Sequence, residues 1–251
     1  MIRNQKFIVS SKHPRPRRYK IFFSRRPGVN RSTPSGNDSL KWVPTTSTLI
    51  YGQKDAVLVG TQLTTVAGKE LADWVISSGK NLTVIYIIHA HGDHFYGNAA
   101  LLEHFPDAKV VSTPEVVARM AMEISPERAE GLWKKLFPGQ IPEVLVAAVG
   151  LDKDEFELEG EKLRIVPSIR LAVTRDAVYN NTHPYLGESG SKQARLEWIA
   201  ALNKIAALKP EIVVGGHSDP SRGFSPHSIE ETKVYLEEFD RLNEQTATAE
   251  E

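Results

Sequence analysis

Cysteine is absent from all 251 residues of the chain. Without a thiol, the protein has no disulfide, no thiolate metal ligand and no cysteine nucleophile. Any metal ion that the protein binds must therefore be held by nitrogen and oxygen atoms, chiefly those of histidine, aspartate and glutamate.

Long apolar runs and early acidic residues are also missing. No apolar stretch approaches the 18 or so residues that a membrane span needs, so the sequence predicts a soluble, cytoplasmic protein with no membrane partner. The first 37 residues contain ten Lys or Arg side chains and no acidic one, which leaves 21 basic against 31 acidic residues in the remainder. A basic head thus precedes an acidic body.

The basic head suggests a boundary near residue 40. We expect residues 1–40 to form a disordered basic extension and residues 41–251 to form one domain. A mitochondrial targeting peptide is an alternative, although Pro14, Pro16 and Pro27 would break its amphipathic helix. A mis-assigned start is another. The head has no aromatic residues interleaved as nucleic-acid binding requires, so no nucleic-acid partner is predicted.

Hydrophobic periodicity predicts two β-rich halves, each accompanied by helices. The first half contains a hairpin ("STLIYG" and "DAVLVG"), a helix ("TTVAGKELADWVISSGK"), a buried strand ("LTVIYII"), a helix ("NAALLEHF"), a strand ("AKVVS") and two helices that open at Thr113-Pro114 and Ser125-Pro126. The second contains the strands "EVLVAAV", "EFELEG", "EKLRIV", "IRLAVT" and "EIVVGG" and two long helices. This order predicts a four-layer αββα sandwich.

The segment "HAHGDH", residues 89–94, places three histidines and one aspartate within six positions, directly after the strand "LTVIYII". The loop that leaves a strand end can present such side chains in one direction. Polar residues of an ordinary loop are the alternative explanation, but four potential ligands in six residues favour a metal site. Imidazole and carboxylate ligands suit zinc, and also iron or manganese.

The segment "HAHGDH" resembles the His-x-His-x-Asp-His signature of the metallo-β-lactamase superfamily. "VTRDAVYN" is similar to the family segment that supplies a bridging aspartate, and "IVVGGHSDP" to the one that supplies the last histidine. The resemblance covers the chain from about Ser47 to the C-terminus. It implies an αββα sandwich with the site along the shared edge of its two sheets, and hydrolysis of substrates such as β-lactams, lactones, thioesters or phosphodiesters.

The resemblance also implies a set of ligands for one or two zinc ions. The first ion would be held by the residues that match His89 and His91, the second by those that match Asp93, His94 and His217, and both by the bridging Asp176. Asp93 or Asp176 would orient the attacking water or accept its proton. His183, seven residues after Asp176, is a weaker candidate for a substrate contact.

Three departures from the family pattern stand out. The family supplies a third histidine to the first ion, but the one histidine between His94 and Asp176 is His104, in the helical "NAALLEHF". "EKLRIVP" passes directly into "SIRLAVTRD", as if a histidine segment had been lost at Pro167-Ser168. Gly60 stands where members commonly place an aspartate, and Arg175 where they usually have glycine. We expect the Arg175 guanidinium to pair with Asp176 and compete with metal.

These observations predict a metal-dependent hydrolase of a small ester, lactone, lactam or thioester, with activity impaired by the missing ligand. The partner would be a small-molecule substrate, attacked by metal-activated water. The alternative is a catalytically inactive relative, or a truncated gene-model product, with a non-enzymatic role. No feature of the sequence selects an oligomeric state.

Overall fold

The computed structural model describes residues 8–10, 18–30, 40–151, 155–159, 161–164 and 171–246. Its strands form two sheets. The six-stranded sheet has the order β2-β3-β4-β5-β6-β7, with β2 at Arg18–Phe23, β3 at Thr46–Tyr51, β4 at Asp55–Val59, β5 at Asn81–Tyr86, β6 at Lys109–Ser112 and β7 at Val149–Gly150. The strands β2, β3 and β4 pair antiparallel, and β4 to β7 pair parallel.

The five-stranded sheet has the order β11-β10-β1-β9-β8. Its strands are β1 at Ile8–Ser10, β8 at Glu155–Leu158, β9 at Glu161–Arg164, β10 at Leu171–Asn180 and β11 at Ile212–Ser218. The long strand β10 is parallel to β11 and is buried along its whole length. An isolated bridge between Thr45 and His217 joins the two sheets at one edge.

Helices cover the outer face of each sheet. The helices α1 (Thr65–Ser77), α2 (Asn98–His104), α3 (Pro114–Glu123), α4 (Pro126–Arg128) and α5 (Lys134–Leu136), with a π-helical turn at Ala129–Trp133, accompany the six-stranded sheet. The helices α6 (Lys192–Ala207) and α7 (His227–Gln245) pack on each other and on β10. The predicted four-layer αββα sandwich is therefore confirmed. No helix within the described ranges is long and apolar enough to cross a membrane.

Four helices begin at a hydroxyl residue that caps the first turn. A backbone N–H that the first turn leaves without an intrahelical partner instead donates to the capping side chain. The pairs are Ala67 to Thr64, Val116 to Thr113, Arg128 to Ser125 and Ala194 to Ser191. The caps at Thr113 and Ser125 precede the two prolines at which the sequence predicted helices to open.

The core lies in two layers because strand residues alternate between faces. Along β4, Val57 and Val59 belong to the same core cluster as Ala172 and Val173 of β10 in the five-stranded sheet. Ala56 and Leu58, on the other face of β4, belong to the layer beneath the helices. The buried strands that lead to the site are thus packed on both faces, which makes their ends rigid supports for ligands.

Part of the basic head belongs to the fold, in contrast to the extension predicted for residues 1–40. Strand β2 pairs with β3 from Arg18 to Phe23, and β1 pairs with β9 and β10. Phe22 and Ile21 of β2 pack against the two core layers, so burial of apolar side chains outweighs the charge of the flanking residues. Residues 1–7, 11–17 and 31–39 lie outside the described residues.

The segment "EVLVAAV" was predicted to be a strand, but only Val149 of that segment enters one, together with Gly150. Leu145 and Ala147 pack against the helix-covered layer of the core instead, so their apolar character reflects burial in a coil segment.

The junction at Pro167-Ser168 lies outside the described residues, and the interpretation of a lost segment there stays a prediction.

Candidate metal centre

The ends and middles of three strands bring the predicted ligands together. His89 and His91 follow β5, and Asp93 and His94 lie in a short 3-10 turn at Gly92–His94. Asp176 lies on β10, and His217 lies on the neighbouring parallel strand β11. The Thr45–His217 bridge holds this end of β11 against the six-stranded sheet. The site therefore lies at the edge that the two sheets share.

The six side chains form two compact groups. One group is His89, His91 and Asp176, and the other is Asp93, His94 and His217. Within each group, one nitrogen or oxygen atom from each residue lies within 4.8 Å of the other two. The structure thus brings together all six residues that the sequence predicted as metal ligands.

Asp176 connects the two groups. Its Oδ1 atom lies 2.9 Å from Nε2 of His94 and 3.6 Å from Nε2 of His217, and its Oδ2 atom lies 3.8 Å from Nε2 of His89. Burial opposes ionisation of Asp176, but the charges of His94, His217 and His89 outweigh burial and hold the pKa of Asp176 well below its usual range. A carboxylate in this position lies close to residues of both groups.

Backbone and indole contacts orient two of the ligands. Nδ1 of His217 lies 3.1 Å from the carbonyl oxygen of Pro44, which fixes the ring so that Nε2 faces Asp93, 3.4 Å away, and Asp176. The indole N–H of Trp42 donates to Oδ2 of Asp93 at 3.2 Å. Such contacts set the tautomer and direction of a ligand before an ion binds.

The donor atoms fit a metal ion. Burial is the largest cause of the lowered pKa of His89 and of His94, and it favours the neutral imidazole that binds metals. Within the described part of the chain, neither ring nitrogen of His94 nor Oδ1 of Asp176 has a hydrogen-bond partner of normal geometry. Buried polar atoms without such partners are costly unless something else satisfies them, and a cation between the two groups would do so.

The prediction that the first group is short of ligands is not supported. Asp176 joins His89 and His91 and supplies a third ligand atom there. His104 lies exposed at the end of α2, as its position in an amphipathic helix suggested.

Arg175 does not pair with Asp176, although the sequence predicted this contact. Its guanidinium donates from Nη1 to the carbonyl oxygen of Thr46, and its Nη2 lies beside Gly60. The backbone of Arg175 has a φ of 47°, a left-handed conformation that residues other than glycine rarely adopt. The buried guanidinium of Arg175 therefore does not form an ion pair with the carboxylate of Asp176.

Glu188 contacts His91, and the sequence did not predict this contact. Its Oε1 atom lies 2.8 Å from Nε2 of His91 and also contacts the guanidinium of Arg119 on α3. Burial disfavours the charged form of His91, but the hydrogen bond and charge of Glu188 outweigh burial and raise the pKa of His91. Because 97 residues separate His91 and Glu188, no spacing in the sequence indicates their contact.

A cavity of about 310 Å³ opens onto the two groups. His91, Asp93, Asp176 and His217 contribute to its lining, and an aromatic and aliphatic wall is formed by Val29, Leu40, Trp42, Val43, Leu132, Trp133 and Tyr185. Lys41, Arg128 and His183 also line it. His183, the predicted substrate contact, thus faces the same cavity as the metal ligands, and its Nδ1 lies 3.4 Å from the hydroxyl of Tyr235.

A four-layer αββα sandwich with buried His/Asp groups at the shared sheet edge is the arrangement of metallohydrolases with the metallo-beta-lactamase fold. The family model of the metallo-beta-lactamase superfamily matches residues 40–169, which is just over half of the chain. The protein therefore belongs to the metallo-beta-lactamase superfamily.

Solved structures share the fold at low sequence identity. A metallo-beta-lactamase from Pontibacter korlensis matches with a TM-score of 0.62 and 15% identity, over 92% of this chain and 99% of its own. A metallo-beta-lactamase family protein from Thermus thermophilus matches with a TM-score of 0.57 and 17% identity, over 87% and 79%. The metallo-beta-lactamase FIM-1 from Pseudomonas aeruginosa, in its mono-zinc form, matches with a TM-score of 0.56 and 12% identity, over 94% and 98%. No protein with a curated description matches the sequence.

Proposed function

We propose that the protein is a metal-dependent hydrolase of a small ester, lactone, lactam or thioester, with zinc as the metal. The observation that carries this proposal is the pair of buried His/Asp groups that Asp176 connects and that open onto one cavity. Iron and manganese also accept nitrogen and oxygen ligands and are the alternative metals.

The six grouped residues would hold one or two ions. An ion bound there would supply Lewis acidity, which polarises a carbonyl and lowers the pKa of a bound water to about 7. Asp93 and Asp176 are the candidate proton acceptors, because both carboxylates lie at the cavity and can receive a proton from water. Trp42 holds Asp93 in place through its indole N–H, so the carboxylate needs little reorganisation during the reaction.

The cavity supports a small and partly apolar substrate. Its volume of about 310 Å³ is at the lower end of ligand pockets. The aromatic wall at Trp42, Trp133 and Tyr185 would exclude water from the reacting carbonyl group. His183 and the exposed Lys41 would contact the polar end of the substrate, which favours an ester or lactone that carries a further oxygen function.

An inactive relative is the second candidate function. The observation that favours it is Arg175, a cation that is fully buried beside the site and whose Nε and Nη2 atoms lack hydrogen-bond partners among the described residues. A buried cation next to Asp176 weakens the attraction of the site for a second cation. In that case the fold would bind at most one ion and would not turn over substrate.

A hydrolysis panel with matched variants tests the proposal. The metal-free chain is loaded with Zn²⁺ or Mn²⁺ and assayed with a lactone, a thioester, an aryl ester and a β-lactam. Asp176→Asn and His217→Ala should lower kcat/KM by at least about 100-fold, whereas His227→Ala, an exposed histidine on α7, should leave it unchanged. Full metal loading without turnover of any substrate would contradict the proposal and support the inactive relative.

A further inference from the structure

Glu188 brings a further carboxylate to the first group of ligands. It lies in the segment between β10 and α6, and its side chain is 28% exposed. Its Oε1 atom is 2.8 Å from Nε2 of His91, and the guanidinium of Arg119 contacts the same oxygen. A loop carboxylate, a motif histidine and a helix arginine thus meet at the side of the site that carries His89 and His91.

The distance between Glu188 and His91 is shorter than that between two ligands of one ion, so an ion could enter only if the two atoms moved apart. Nitrogen and oxygen ligands of tetrahedral zinc lie at about 2.0–2.2 Å from the metal, which places neighbouring ligand atoms about 3.3 Å apart. The Glu188–His91 distance of 2.8 Å resembles the 2.9 Å that separates His94 from Asp176. In both pairs, an ion could bind between the two atoms if they moved slightly apart.

We propose that Glu188 is a metal ligand of the first group, which then consists of His89, His91, Asp176 and Glu188. This proposal rests on the proposed function, since it assumes that an ion binds there. Glu188 would take the role that the family resemblance gives to a third histidine. Its Oε1 atom is not among those that lie within 4.8 Å of one another, so the carboxylate must move towards His89 and Asp176 when an ion binds. Partial exposure leaves it room to do so.

A cation lies beside the carboxylate of Glu188, because the guanidinium of Arg119 contacts the same Oε1 atom that faces His91. Two carboxylates and two imidazoles form an oxygen-rich set, which is suited to manganese and iron as well as to zinc. The first group would therefore discriminate less against Mn²⁺ than a group of three histidines does.

A structural ion pair is the competing interpretation, and it predicts the opposite sign. If Glu188 only links α3 to the segment after β10, its hydrogen bond engages the His91 nitrogen that an ion would need. Removing the carboxylate would then free His91 and tighten metal binding. If Glu188 is a ligand, removing it weakens metal binding.

Equilibrium metal titration of the full chain separates the two. Zn²⁺ and Mn²⁺ binding to the metal-free protein is measured by calorimetry and dialysis for the unmodified chain, Glu188→Gln, Glu188→Ala and Glu237→Gln, an exposed carboxylate of α7. We expect both Glu188 variants to lose at least about tenfold in affinity for one equivalent of metal while the other equivalent is retained. Unchanged or tighter binding by Glu188→Gln would overturn the proposal.

A second pair of variants tests whether His91 and Glu188 hold the same ion. In a His91→Ala background, Glu188→Gln should cost little further affinity, because both residues hold the same ion. Equal losses in both backgrounds would contradict a shared ion. If the unmodified chain binds metal without hydrolysing any substrate, and Glu188→Gln weakens that binding, the proposed function is wrong and Glu188 remains a ligand. If the chain hydrolyses a substrate but Glu188→Gln does not change metal affinity, the proposed function stands and Glu188 is not a ligand. A chain that binds no metal would contradict both.

Discussion

The guanidinium of Arg175 fills the space that a side chain at position 60 would occupy. A Cβ atom built on Gly60 would lie 1.0 Å from Nη2 of Arg175, and Gly60 has a φ of 69°. Arg175 is fully buried, and burial lowers its pKa to about 10. The two departures from the family pattern at these positions are thus one structural feature, because the missing side chain at position 60 makes room for the large one at position 175.

Exchange of the two residues should show this coupling. Gly60→Asp alone should destabilise the fold by about 2–4 kcal/mol, because the new side chain meets the guanidinium and the backbone requires a positive φ. Arg175→Gly in the same chain should recover much of the loss. Denaturant unfolding of the two single variants and the double variant measures an interaction energy, which we expect at about 1–3 kcal/mol. Additive effects would show that the two positions are independent.

The sequence predicted local features well and long-range contacts poorly. The motif "HAHGDH" identified four residues of the two His/Asp groups because they lie within six positions after an apolar strand. The positions of Asp176 and His217 followed from the family resemblance, because parallel pairing of β10 and β11 joins residues that are far apart in sequence. Glu188 and the Gly60–Arg175 contact carry no periodic or spacing signal, since they depend on how loops and side chains meet across the two sheets.

The place of Asp176 between the groups predicts how its loss differs from that of a terminal ligand. Asp176→Asn should weaken binding of both equivalents of metal, because its two oxygens face His94 and His217 on one side and His89 on the other. His217→Ala should mainly weaken one equivalent. Dialysis followed by elemental analysis gives the stoichiometry of each variant. Loss of a single equivalent in Asp176→Asn would mean that the carboxylate serves one group.

Trp42 should affect the metal through Asp93. Trp42→Phe retains most of the aromatic packing with Trp133 and Phe137 but removes the N–H that donates to Asp93. We expect metal affinity to fall about 10-fold or more, as is usual when a contact that orients a ligand is lost. Thermal unfolding of the metal-free variant is the control, and it should change little. A large drop in metal-free stability with unchanged metal affinity would assign Trp42 to packing alone.

Glu159 provides a test at acid pH away from the metal centre. Its carboxylate accepts hydrogen bonds from the backbone N–H groups of Gln53, Lys54 and Asp55, at 3.0, 2.5 and 2.8 Å. These hydrogen bonds link the turn between β8 and β9 to the turn between β3 and β4. These hydrogen bonds, led by that from Asp55, lower the pKa of Glu159 from 4.5 to about 2. The stabilisation is therefore fully present above about pH 4.5 and is lost as the pH falls through about 2.

Substitution of Glu159 should consequently matter at neutral pH and cease to matter in acid. Glu159→Gln should unfold at a lower denaturant concentration than the unmodified chain at pH 7, and the difference should shrink between pH 4.5 and pH 2, because protonation removes the same charge from the unmodified chain. Gly52→Ala should act in the same direction, since a Cβ there would lie 2.4 Å from Oε2 of Glu159. Glu157→Gln, an exposed residue on the same hairpin, is the matched control. A difference between Glu159→Gln and the unmodified chain that stays constant down to pH 2 would show that the carboxylate charge contributes nothing to the contact.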